Sequence, residues 1–217
     1  MTRARRLRAL TVATCALLAA CVGPATPSRF YTLSSLVAAP GEAVPAGSSD
    51  LVLGVGPVVL PEYLNRPQIV TRDGSNRVLL ADFDSWIEPL EGLFTRTLTE
   101  NLSLLLGTDE VVELPQRGAL ALDYRVEVDV TRFDVDSHGN AVLDARWRLF
   151  RDDREALLQG ARSTVVEPTT PDDHAAAAQG LSQALGGMSR EIAAAIAADR
   201  ARAANARPSG RRAQSRG

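Results

Sequence analysis

Residues 121–168 read as three strands in succession, and they set the terms for the rest of the chain. In ALDYRVEVDVTRFDVD (121–136), Tyr124, Val126, Val128 and Val130 fall on one side of a period-two repeat, and Arg125, Glu127 and Asp129 on the other. Successive strand side chains point to opposite faces, so this is a half-exposed antiparallel strand. SHGN (137–140) turns it back into AVLDARWRLFRD (141–152), where Leu143, Ala145, Trp147 and Leu149 oppose Val142, Asp144, Arg146 and Arg148. REALLQGARSTVVEP (154–168) completes a meander. A sheet with one apolar face has to be covered by another layer.

Two segments read as helices. Leu90, Phe94, Leu98, Leu102 and Leu105 recur at helical spacing, Ser85 with Glu88 forms a capping-box pattern, Pro89 falls in the first turn, and Gly107 ends the run. In the second, Thr170 is a cap, Pro171 takes the first position, Asp172 and Asp173 lie in the first turn, and Leu181, Leu185, Met188, Ile192 and Ile196 form the buried stripe. Gly186-Gly187 weakens this helix by about 1 kcal/mol per glycine, which close packing on the sheet would explain, as would neutral drift. Further strands are expected at RFYTLSSL (29–36), LVLGVGPVVL (51–60) and EVVEL (110–114), with a hairpin over 66–83 that turns at Asp73-Gly74. The expected fold is α+β: a mixed, largely antiparallel sheet of about six or seven strands with two amphipathic helices packed on it.

The N-terminus is of another kind. Arg3, Arg5, Arg6 and Arg8 precede ALTVATCALLAA (9–20), which is too short for the roughly 20 apolar residues that span a bilayer. A basic head, a short apolar run and small residues describe a secretory signal peptide. Its end, LAAC (18–21), resembles the lipobox of bacterial lipoproteins. That implies cleavage between Ala20 and Cys21 and a diacylglyceryl group on the Cys21 sulfur. Cys15, the other cysteine, lies inside the removed peptide, so no internal disulfide is expected. The expected organisation is a signal peptide (1–20), a lipidated cysteine and tether (21–28), one domain (29–199) and an Arg-rich disordered tail (200–217). Residues 22–199 hold 14 arginines against 26 acids, a formal charge of −12, which argues against a nucleic-acid partner.

No residues assemble a catalytic site. His138 sits in a hairpin turn and His174 at a helix start, and both read as solvated. DVDSHGN (134–140) imitates the opening of a calcium loop, but the twelfth position, which needs a bidentate acid, is Ala145. GVG (54–56) continues into PVVL as a strand and opens no helix, so it is no phosphate cradle. A non-enzymatic protein is expected, with no metal and no cofactor beyond the covalent lipid on Cys21.

Several pieces in order resemble the auxiliary lipoproteins of MCE-type transport systems, the PqiC-like family: the lipobox, FYTL (30–33), LPEYLNRPQIVTR (60–72), NRVLLADFDSWIEPLEGLFTRTLTENLS (76–103), the meander and the Ala-rich last helix. The resemblance implies a lipid-anchored protein on the periplasmic face of the outer membrane of a Gram-negative bacterium. Its partner would be an envelope-spanning MCE-domain protein that moves phospholipid or other apolar molecules, and a self-assembled ring or other oligomer is implied as well. Val22 follows the cysteine where an aspartate would favour inner-membrane retention. Pro61, Tyr63, Leu64 and Trp86 are the candidate partner-binding residues; for Tyr63 and Leu64 the alternative is that they plug the end of the core, and for Trp86 that it is a packing anchor. A lipid-binding carrier and a structural lipoprotein of envelope assembly are the other readings.

Overall fold

The computed structural model describes residues 27–36, 50–74, 76–115, 121–151 and 156–206. Eight strands form one sheet: β1 (Arg29–Tyr31), β2 (Leu53–Val59), β3 (Gln68–Asp73), β4 (Arg77–Trp86), β5 (Val111–Glu113), β6 (Tyr124–Val135), β7 (Asn140–Arg151) and β8 (Ala156–Pro168). Among the described residues two α-helices, α1 (Leu90–Leu106) and α2 (His174–Ala206), join the sheet in an α+β fold. The meander β6-β7-β8 is antiparallel along its length, as the alternation requires. On the other side of β6 the sheet forks. Tyr124–Asp129 pairs in parallel with β2, which carries β5, while Val135 meets Thr71 of β3, which carries β4 and then β1.

The helices cover one face. Val126, Val128, Val130, Leu143, Ala145, Trp147 and Leu149 are buried beneath them, and Phe94 of α1 meets Phe133 of β6 edge to face with centroids 5.2 Å apart. The helices are tied by a buried amide as well as by apolar packing. Asn101 Oδ1 accepts from the Leu36 backbone N–H at 2.7 Å, and its Nδ2 donates to Ser189 Oγ of α2 at 3.1 Å. The opposite face carries ion pairs, Glu127 with Arg125 and Arg148, and Asp144 with Arg162.

Glycines show where backbones come close. A Cβ on Gly186 would stand 2.6 Å from Leu36 Cδ2, and one on Gly187 3.0 Å from Val165 Cγ1, so the helical glycine pair reflects close packing. Gly54 and Gly56 also serve the sheet. A Cβ on Gly54 would meet Leu122 Cδ1 at 2.7 Å, and Gly56 combines φ +132° with a Leu114 carbonyl 2.7 Å from its Cβ position.

Several local expectations give way to tertiary structure. Only Arg29–Tyr31 of 29–36 is a strand. The Ser85–Glu88 capping box does not form, because Ser85 belongs to β4, paired with Phe30 and Gln68. Helix α1 instead starts after Pro89 with no side-chain cap, and Gly107 ends it in the left-handed conformation at φ 64°. The cap of α2 is Asp173 and not Thr170; its Oδ1 accepts from Ala175 N at 2.9 Å and Ala176 N at 3.0 Å, while Asp172 turns the chain at φ 59°. Residues 200–206, read as disordered tail, continue α2, since alanine and arginine are strong helix formers. Ala20, Cys21 and the rest of the tail lie outside the described residues.

Candidate functional site

The fork in the sheet brings two connections face to face. The first follows β2. Pro61 fixes the entry, a 3-10 turn spans Glu62–Leu64, and the Leu64 N–H donates to the Pro61 carbonyl at 2.9 Å. Arg66 Nε then donates to the Tyr63 carbonyl at 2.7 Å and closes the loop. The second is the passage from β4 into α1. The Trp86 N–H donates to the Pro67 carbonyl at 2.7 Å, and the Ile87 N–H to the Tyr31 carbonyl at 2.9 Å. Between them opens a cleft of about 350 Å³. Leu64 and Trp86 are buried in its floor, exposed Ile87 stands at its rim, and Glu62, Glu88 and Glu91 border it.

The four sequence candidates therefore take different positions. Leu64 and Trp86 line the cleft from the core side. Pro61 shapes the loop without lining the cleft. Tyr63 leads elsewhere: its hydroxyl donates to Asp134 Oδ2 at 2.9 Å, and the Arg72 guanidinium lies 5.6 Å from its ring centroid. Asp134 is fully buried and also accepts from Arg72 Nη2 at 3.1 Å and from Arg132 Nε at 2.7 Å.

This cluster is one of three. The chain has three tyrosines, and each donates to a buried aspartate that an arginine also holds. Tyr31 Oη donates to Asp84 Oδ1 at 2.7 Å, where Arg29 Nη2 reaches Oδ2 at 2.8 Å. Tyr124 Oη donates to Asp199 Oδ2 at 2.9 Å beside Arg151. The clusters pin β1 to β4, the cleft loop to β6, and β6 and β7 to the far half of α2. His174, read from sequence as solvated, stands with Nδ1 3.3 Å from Asp84 Oδ2, because capping at Asp173 turns the first residue of α2 toward β4. His138 keeps its place in the hairpin turn. Asp136 Oδ1 accepts from the backbone of His138 and Asn140, so that carboxylate is committed to the turn. Among the described residues no group of three His, Cys, Asp or Glu is placed to hold a metal ion.

The clusters give the domain a defined pH window. Burial pushes Asp84 and Asp199 up, but the arginine and tyrosine hydrogen bonds outweigh it, and both carboxyls lie below their ordinary value. Arg162 does the same for Asp144. A group depressed in the folded state contributes stability above its unfolded value, and that contribution is lost as pH falls through the folded one. The phenols shift the other way. Burial, and then the neighbouring aspartate, raises Tyr31, Tyr63 and Tyr124, Tyr63 to about 12. Their contribution is whole below the unfolded value and is lost as pH rises through the folded one. Thermal melts across pH should show a plateau that falls away below about pH 4 and above about pH 10, near the unperturbed Asp and Tyr values. A melting temperature that rises on either flank would refute the locks.

The family described as ABC-type transport auxiliary lipoprotein component matches residues 31–193. No curated protein matches the sequence. The crystal structure of a Xanthomonas campestris protein is similar with a TM-score of 0.64 and 20% identity, covering 81% of this chain and 99% of that one. The crystal structure of an uncharacterised protein gives the same TM-score at 22% identity, covering 79% of this chain and 99% of its own. At such identities these two show the fold alone; with the match over residues 31–193, the chain belongs to the ABC-type transport auxiliary lipoprotein family.

Proposed function

We propose that the chain is a non-catalytic auxiliary subunit, held by acyl chains on Cys21 at the periplasmic face of the outer membrane, whose partner is an envelope-spanning MCE-domain protein. The cleft between residues 60–67 and 86–91 is the docking place. The observation that carries this assignment is the cleft itself, in which an apolar floor of Leu64 and Trp86 is bordered by Glu62, Glu91 and Arg66, and by Glu88, which is paired with Arg96. Buried apolar anchors within a polar rim are how protein interfaces are built. With Glu88 committed to Arg96, Glu62 and Glu91 select a partner segment with cationic residues around an apolar one.

Glu62 and Glu91 are exposed, so reversing their charge leaves the core untouched. The double variant Glu62→Arg, Glu91→Arg should melt within a few degrees of the parent, the small loss coming from a cation in the first turn of α1, but recover the partner from detergent-solubilised membranes several-fold less well, with the difference shrinking at high salt. Parental recovery at every salt concentration would remove the cleft from the interface.

A further inference from the structure

The outer face of β1 and β4 differs from the rest of that side of the sheet. The parallel register sets Phe30 beside Ser85, and strand periodicity puts Phe83 and Gln68 on the same side. Ile87 follows just past the strand end. Phe30, Phe83 and Ile87 are 61%, 44% and 58% exposed. None of these five side chains is charged, whereas the outer face of the meander is a ladder of arginines and acids. Single exposed apolar residues are ordinary, but two phenylalanines and an isoleucine gathered where β1 meets β4 at this end of the sheet call for a covering surface.

The chain's course indicates which one. β1 is the first element of the domain, and Phe30 lies nine residues after Cys21. Fully extended, nine residues reach about 30 Å. Given the lipid anchor of the proposed function, on which this inference rests, β1 enters the domain from the membrane side. We propose that Phe30, Phe83 and Ile87 rest in the bilayer interface and, with the acyl chains, fix the orientation of the domain on the membrane. An acidic body gains nothing from anionic lipid, so the contact is apolar and suits a surface rich in zwitterionic head groups. The cleft, which shares Ile87 at its rim, then opens next to the lipid surface.

The test uses the full lipidated chain in vesicles of phosphatidylethanolamine with a minor share of phosphatidylglycerol. A photo-reactive phenylalanine, p-benzoylphenylalanine, replaces Phe30 or Phe83 in turn, and Leu157 as the control. Leu157 is 58% exposed but lies on β8, at the far edge of the sheet. Lipid adducts should form at positions 30 and 83 several-fold more than at 157, with little dependence on salt. Equal yields at all three positions, or protein–protein adducts in place of lipid ones, would overturn the inference. The intact mass of the same sample separates the two claims. An acylated chain without lipid adducts overturns this inference alone, and an unacylated Cys21 overturns the anchor together with it.

Discussion

Asp134→Asn should lower the melting temperature of the domain by on the order of 10 °C, the largest effect expected of any single polar substitution. Asp134 is fully buried and accepts from Tyr63, Arg72 and Arg132. Asparagine keeps the shape but removes the charge, and it turns N–H donors toward two guanidinium groups that are themselves donors. Breaking a buried ion pair on one side costs about 3–5 kcal/mol. Both arginines are partly exposed, so the lower end applies. In a domain of this size each kcal/mol is worth about 2–4 °C. The control is Asp144→Asn, which breaks a pair with exposed Arg162 and should cost under about 1 kcal/mol. If the two variants melted together, Asp134 would not hold the cleft loop to the sheet.

Cys21→Ser should abolish incorporation of labelled palmitate. The apolar run 9–20 falls short of a membrane span, and no helix of the described residues is long and apolar enough to cross one. Under the proposed anchor, attachment depends on acyl chains, and a diacylglyceryl thioether supplies two where a single chain binds only marginally. Whole-cell labelling followed by immunoprecipitation reads the outcome directly. A variant that still carries the label would place the acyl group on another residue and undo the lipobox assignment.

What was legible in the sequence follows from the range of the interactions. The meander was readable because each strand turns straight back on the last, and alternation at Tyr124–Val130 and Leu143–Leu149 marks the buried face. The parallel ladders were not, since β1 meets β4 and β2 meets β6 across long stretches of chain with no local signature. Ser85 shows the same limit: it satisfied a capping pattern and was drawn into the sheet instead. The lips of the cleft were visible as a proline-bounded loop and a tryptophan at a helix start. Their meeting was not, because the fork at β6 creates it. The Tyr–Asp–Arg clusters join tyrosine and aspartate across 53, 71 and 75 residues, a separation at which a single sequence carries no pairing signal.

One of the clusters bears directly on the cleft. Tyr63 does not line the cleft, but the loop that bears Leu64 is held by the Tyr63–Asp134 bond. Weakening that bond should loosen the docking place before it unfolds the sheet.

Docking of the partner in the cleft is tested most directly by photo-crosslinking from the cleft in living cells. The lipidated chain carries p-benzoylphenylalanine at Glu91, is irradiated in the intact envelope, purified under denaturing conditions and analysed by mass spectrometry. An adduct with an MCE-domain protein is expected, reduced several-fold when Glu62 is also reversed to arginine. Adducts to lipid alone, to copies of the same chain alone or to an unrelated envelope protein would contradict it.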